Sequence, residues 1–187
     1  MTPFSLYRLA GAAATVCATL LVFNAARRAG ALPENGFTHA IAPFAALAGL
    51  FTVAALYLVQ RAESGVLGLV GFALNAAGLA GAFAIEYTLH FVFPYLGDGV
   101  VDGLVDGATG RAFAVTGVVL VTGVALFGVA SWRARILPAV PVALYVGGMI
   151  PGSLRTLFPA PVYLTGLVVA AAGVAWLGLT LRRRAMP

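Results

Sequence analysis

Residues 81–94 read GAFAIEYTLHFVFP, an apolar helix-forming run that acquires Glu86 and, four residues later, His90 before Pro94 ends it. Four residues is about one helical turn, so both side chains fall on one face. Counting back at about 100° per residue, Asn75 lies about 20° from Glu86, and Gly68 and Gly71 share that stripe. A greasy helix with one polar stripe beside small residues belongs to an all-α integral membrane bundle, in which small residues let helices approach.

Composition places the whole chain in that class. Of 187 residues, 61% are hydrophobic and 9% charged, where a soluble domain carries about a quarter charged residues. Every basic residue is Arg, so the net charge of +5 is guanidinium charge at helix ends. Such a distribution suits the membrane interface; nucleic acid would need a clustered basic face and is excluded as a partner. The one cysteine, Cys17, sits in the first apolar segment, which leaves no intrachain disulfide and no CxxC pair.

Apolar runs predict six transmembrane helices near residues 6–25, 40–60, 65–93, 112–131, 136–150 and 162–181, joined by short connections into one domain spanning 1–187. The first is expected to be a retained helix and not a cleaved signal, because the run is long and further spans follow. Gln60-Arg61-Ala62-Glu63-Ser64 reads as a turn, and residues 97–110, GDGVVDGLVDGATG, as a loosely helical interfacial segment. The fifth helix is short and is expected to lose regular geometry between Gly147 and Ser153, where Pro151 removes a donor. Six spans put Arg8, Arg61, Arg133, Arg135 and Arg182 to Arg184 on one side, against Arg27, Arg28, Arg111 and Arg155. That asymmetry predicts a multi-pass protein of the cytoplasmic (inner) membrane with both termini cytoplasmic.

An ionisable residue within a span marks a functional site by default. The topology gathers His39, Glu86 and His90 at one level, with Arg155 and His90 as expected partners for Glu86. Glu86 and His90 are the candidate catalytic residues, and Asn75, Tyr87, His39, Arg155 and Phe91 the candidate substrate contacts. The alternative is that Glu86 and His90 cap a long helix, with Tyr87 and the phenylalanines as interface anchors. Asp98, Asp102 and Asp106 have oxygens suited to a hard cation, but acidic, Gly-rich turns are ordinarily solvated. A haem between His39 and His90 is disfavoured by their places near helix ends. Neither metal nor cofactor is expected.

Three resemblances bear on these residues. Asp102, Asp106-Gly107 and Arg111 are similar to the aspartate signature of the CDP-alcohol phosphotransferases. That signature continues with acids on the next helix, residues 112–131 hold none, and the Asp102–Asp106 spacing is one too long, so the reading is rejected. The opening Leu6-Tyr7-Arg8-Leu9-Ala10-Gly11, the acid near the end of the third span and the turn Trp132-Arg133-Ala134-Arg135-Ile136-Leu137-Pro138 resemble a broad group of small bacterial six-helix membrane proteins. Glu86, aromatic neighbours and Pro94 together are similar to the glutamate-bearing helix of integral-membrane terpene cyclases, although no second acid follows Asp106. That likeness implies acid catalysis by Glu86 on an isoprenoid-like or lipidic substrate, a cyclase or isomerase reaction. A buried carboxyl group would supply the proton, and nearby rings would face a carbocation. The alternatives are a non-catalytic membrane accessory or scaffold protein and a small proton-coupled carrier, the latter needing a homo-oligomer for internal volume.

Overall fold

The computed structural model describes residues 3–155 and 157–184, and among them the chain is all-α, without strands. The elements are α1 (Pro3–Arg28), α2 (Gly36–Ile41), α3 (Phe44–Phe91), a 3₁₀ turn (Phe93–Tyr95), α4 (Asp98–Asp106), α5 (Ala108–Ala134), α6 (Ala139–Ser153) and α7 (Ala160–Arg184). The stretches Ser5–Arg28, Gly36–Tyr95, Ala108–Ala134 and Ala160–Arg184 are long and apolar enough to cross a membrane, and α6 is a shorter apolar helix.

The continuous stretch of α3 is a hairpin. Gly65, at φ 56° and ψ −156°, leaves helical geometry in a region that L side chains rarely adopt, and the chain folds back there. Tyr57 stacks on Phe72 with ring centroids 4.6 Å apart, Leu79 lies against Gly49, and Phe44 meets Phe83 at 6.3 Å. Each step from Gly65 along one arm is matched by a nearly equal step along the other. Residues 44–64 and 66–91 are therefore antiparallel rods.

Glycines set the remaining contacts. A Cβ on Gly71, Gly78 or Gly123 would run into the backbone of Phe127, Leu120 or Asn75, so the second arm of α3 and α5 pack antiparallel with their main chains almost touching. Gly148 against Ala170 and Gly173 against Tyr145 pair α6 with α7, while Gly178 against Ala14 pairs α7 with α1. Every pairing is antiparallel, so the start of α1 and the end of α7 meet at the Gly65 end, where Arg182 lies beside Gly11. The opposite end, here the histidine end, gathers α2, α4 and the close of α3.

The outside, more than the inside, departs from a water-soluble bundle. The interior combines small residues, large apolar ones such as Leu56, Phe127, Leu177 and Leu181, and hydrogen-bonded polar ones: Gln60 Nε2 donates to Ser131 Oγ at 2.8 Å, and Asn75 Nδ2 donates to Tyr145 Oη at 2.9 Å. Large apolar side chains point outward along the rods, among them Val16, Phe51, Val66, Val118, Trp132 and Trp176. An exposed apolar surface of this extent, on helices long and apolar enough to cross a membrane, suits an apolar solvent.

Four expectations change. The Gln60–Ser64 turn is helical, because Gln60 and Ser64 are buried on the inner face and only Gly65 breaks the rod. The second span is not one helix from residue 40, since α2 ends at Ile41 and α3 begins after Pro43, which lacks an amide donor. The fifth helix runs 139–153 instead of 136–150, starting after Pro138, whose ψ of 133° is extended. It also stays helical across residues 147–153, although Pro151 denies the Gly147 carbonyl its usual donor, and the irregularity starts at Leu154. The first, fourth and sixth spans are longer than expected by a few residues at each end, whereas the third, running 66–91, is slightly shorter.

Because the α3–α5 contact leaves no room for a methyl group, Gly123→Ala should destabilise the detergent-solubilised protein by about 2 kcal/mol in denaturant unfolding. Gly147→Ala, whose new Cβ would meet nothing within 4 Å, should be neutral or stabilise by under about 1 kcal/mol.

Candidate functional site

At the histidine end, local structure delivers each polar side chain. Helix α1 continues through Arg27 and Arg28, so both guanidiniums occupy its last turn, where the partial negative charge of free carbonyls favours cations. Gly30, at φ 76°, reverses the chain after it. A capping box then starts α2: Thr38 N donates to Asn35 Oδ1 and Asn35 N donates to Thr38 Oγ1, both at 3.0 Å. That one-turn helix presents His39 toward the end of α3, where Glu86 and His90 lie one turn apart.

The result is a connected chain of charged and imidazole groups. Arg28 Nη2 donates to Glu86 Oε1 at 2.5 Å. Glu86 Oε2 lies 3.3 Å from His90 Nε2 and has no other partner. His90 Nδ1 lies 2.7 Å from His39 Nδ1, with the rings edge-on. Arg27 Nη2 approaches His90 Nε2 at 3.3 Å, and its Nη1 donates to Glu34 Oε1 at 3.0 Å. The Arg27 side chain is only 4% exposed, and its Nε has no acceptor.

A guanidinium can only donate, which fixes the proton choices. When His90 Nε2 accepts from Arg27, its proton sits on Nδ1 and is donated to His39. When Nε2 carries the proton and faces Glu86, Nδ1 accepts from His39. The two arrangements differ only in where protons sit along Glu86, His90 and His39, which makes the chain a short proton relay.

Two chambers of about 550 Å³ each meet at this chain. One is an apolar shaft between the rods, walled by Leu21, Gly49, Leu56, Leu79, Met149 and Leu177, with Asn24, Arg28, Glu86 and Arg155 at its mouth. The other is polar, lined by Arg27, Arg28, Glu34, His39, His90 and Arg155 among others. Arg28 and Arg155 line both and so mark the boundary. Val105 of α4 and Phe113 of α5 close part of the shaft mouth. Asn24 Nδ2 donates to Ala42 O at 2.9 Å, leaving its Oδ1 without a partner at the mouth.

The candidate residues divide accordingly. Glu86, His90, His39 and Arg155 come together around the two chambers. Asn75 lies deeper, bonded to Tyr145, which itself lines the shaft. Tyr87 and Phe91 line neither chamber; they pack on each other at 4.8 Å on the exposed side of the helix. Arg27 and Arg28 were not among the expected site residues, because the first helix was expected to end at residue 25, short of both. A longer reading of the first helix would have put them in its last turn. Among the described residues, no group of three His, Cys, Asp or Glu is placed to hold a metal ion.

The Arg28–Glu86 pair is largely shielded, at 17% and 21% exposure. Removing one partner strands the other charge, so Arg28→Met should destabilise the protein by about 3 kcal/mol, and adding Glu86→Gln should recover about half of that in denaturant unfolding. Comparison with protein-family models, with curated proteins and with solved structures finds no match, and the geometry of the two chambers is what speaks to the chemistry.

Proposed function

We propose that this is a six-span protein of the cytoplasmic membrane, both termini cytoplasmic, that performs acid–base chemistry on a lipid-like or isoprenoid-like molecule held in the apolar shaft. One observation carries the reading: an apolar shaft of about 550 Å³ has Glu86 at its mouth, and His90 and His39, joined to Glu86 in one chain, line the polar chamber that adjoins it. The volume suits a small-molecule site, with few polar groups fixing orientation at one end. The spanning topology is supported by the alternating rods, their outward apolar surface and the greater number of arginines at the Gly65 end.

The proton donor in this reading is an imidazole and not Glu86. Glu86 accepts from Arg28, which makes it a paired carboxylate with no proton of its own to give. Its task is to orient His90 and to stabilise the imidazolium formed when His90 takes a proton. His90 or His39, both lining the polar chamber at the shaft mouth, then gives that proton to the part of the substrate that reaches this chamber, and recovers one from the product. The arrangement follows the logic of a carboxylate holding a histidine for general acid–base work. A proton-coupled carrier is less favoured, because below this level the buried polar groups among the described residues are amides, hydroxyls and one thiol (Thr52, Gln60, Ser64, Asn75, Ser131, Tyr145 and Cys17), with no carboxylate or imidazole among them. A proton leaving the relay toward the Gly65 end meets no group among them that exchanges protons readily near neutral pH.

Acid–base chemistry on carbon leaves an isotopic trace. Purified protein incubated with isoprenoid lipids in deuterated water should place solvent deuterium in the lipid, read by mass spectrometry. His90→Gln should reduce that incorporation by roughly 100-fold or more while the protein stays folded. Undiminished incorporation in His90→Gln and His39→Gln would exclude the relay as the catalyst.

A further inference from the structure

The polar chamber beyond the shaft mouth carries more positive charge than its own acids neutralise. Arg27, Arg28 and Arg155 face it or its boundary, whereas the carboxylates at this end of the two chambers are Glu34 and Glu86. Arg27 takes Glu34 and Arg28 takes Glu86. Among the described residues, Arg155 makes no hydrogen bond or ion pair through its side chain, and Arg27, almost wholly buried, keeps its Nε without an acceptor. A buried guanidinium donor left unmatched beside an unpaired second guanidinium is costly unless an acceptor completes it.

We infer that the site takes a lipid with a phosphate head, the phosphate lying between Arg155, Arg28 and the edge of Arg27, and the single apolar tail descending the shaft. The inference rests on the shaft-binding reading above and adds the chemistry of the head. Guanidiniums present paired donors that match phosphate oxygens, and three of them around one chamber offer more donors than a carboxylate head could use. Arg28 and Arg155 lie on the boundary between the chambers, where head and tail of such a molecule would meet. The same placement sets the phosphate beside His39 and His90, either of which can donate to it, so a head group would be held next to the relay. Arg155 sits in the link between α6 and α7 and not on a packed face, so it can swing onto an arriving phosphate without disturbing the bundle.

The test compares binding of farnesyl monophosphate, farnesol and inorganic phosphate to the full-length protein in a neutral detergent by calorimetry. Farnesyl monophosphate should bind at least about tenfold more tightly than farnesol, the effect of one or two charge-assisted contacts, and inorganic phosphate far more weakly than either. Arg155→Gln, on an exposed link where folding is not at risk, should remove most of the preference for phosphate. Gly117→Leu, which fills the shaft where a Cβ would make only ordinary contact with Leu154, should weaken both farnesyl compounds. Equal affinity for phosphate and alcohol, both weakened by Gly117→Leu, would overturn the phosphate head and leave the shaft reading standing. No farnesyl binding, or binding indifferent to Gly117→Leu, would overturn both. Inorganic phosphate binding as tightly as the lipid phosphate would make this a free-phosphate site and overturn the lipid assignment, as would an unchanged preference in Arg155→Gln.

Discussion

The contact between Arg28 and Glu86 is the interaction on which the rest of the histidine end depends. An ionised carboxylate inside a bundle with an apolar exterior is unfavourable by several kcal/mol unless a cation reaches it. The last turn of α1 provides that cation, which ties the first rod to the far arm of the α3 hairpin. With one oxygen engaged by Arg28, the other is turned toward His90, and His90 meets His39. Shaft, polar chamber and relay share one corner because this ion pair sits in it.

The fold that delivers the pair uses small residues at its closest helix contacts. Gly71, Gly78 and Gly123 bring the main chains of α3 and α5 together, beside a core of bulky buried side chains such as Phe127, Leu56, Leu177 and Leu181. Close packing along α3–α5 and α6–α7 leaves the space between those pairs and α1 unfilled, and that space is the shaft. Its wall bears Thr52 and Tyr145 as its deeper polar groups, while the mouth carries the charge. Such a gradient from apolar depth to charged mouth is the profile of an amphipathic guest.

Helical periodicity made part of this legible in the sequence. The one-turn spacing of Glu86 and His90 placed them on a common face, and the alternation of spans placed His39 and Arg155 at the same end. The same count of about 100° per residue also puts Tyr87 off the stripe, and the structure finds it outward with Phe91. Arg28 was not legible as the partner, because register between helices distant in sequence is decided by packing that no local pattern encodes. Gln60 to Ser64 misled for the opposite reason: polar residues in a row look like a solvated turn, yet Gln60 and Ser64 face inward and bond or pack between helices. Asn75, a candidate substrate contact for which a neighbouring helix was the other partner considered, is joined to Tyr145, seventy residues away along the chain.

The central claim is that a single apolar tail runs down the shaft from the arginine-lined mouth. The most direct measurement is photolabelling of the full-length protein with a phosphate-headed alkyl probe carrying a diazirine at the end of its tail, followed by peptide mapping. The account predicts labels on the deep lining residues Leu56, Tyr145, Val174 and Leu177, displaced by excess unlabelled lipid phosphate. Labels confined to outward side chains such as Phe51, Trp132 and Trp176, undiminished by competition, would show that the probe meets only the outer surface and would contradict it.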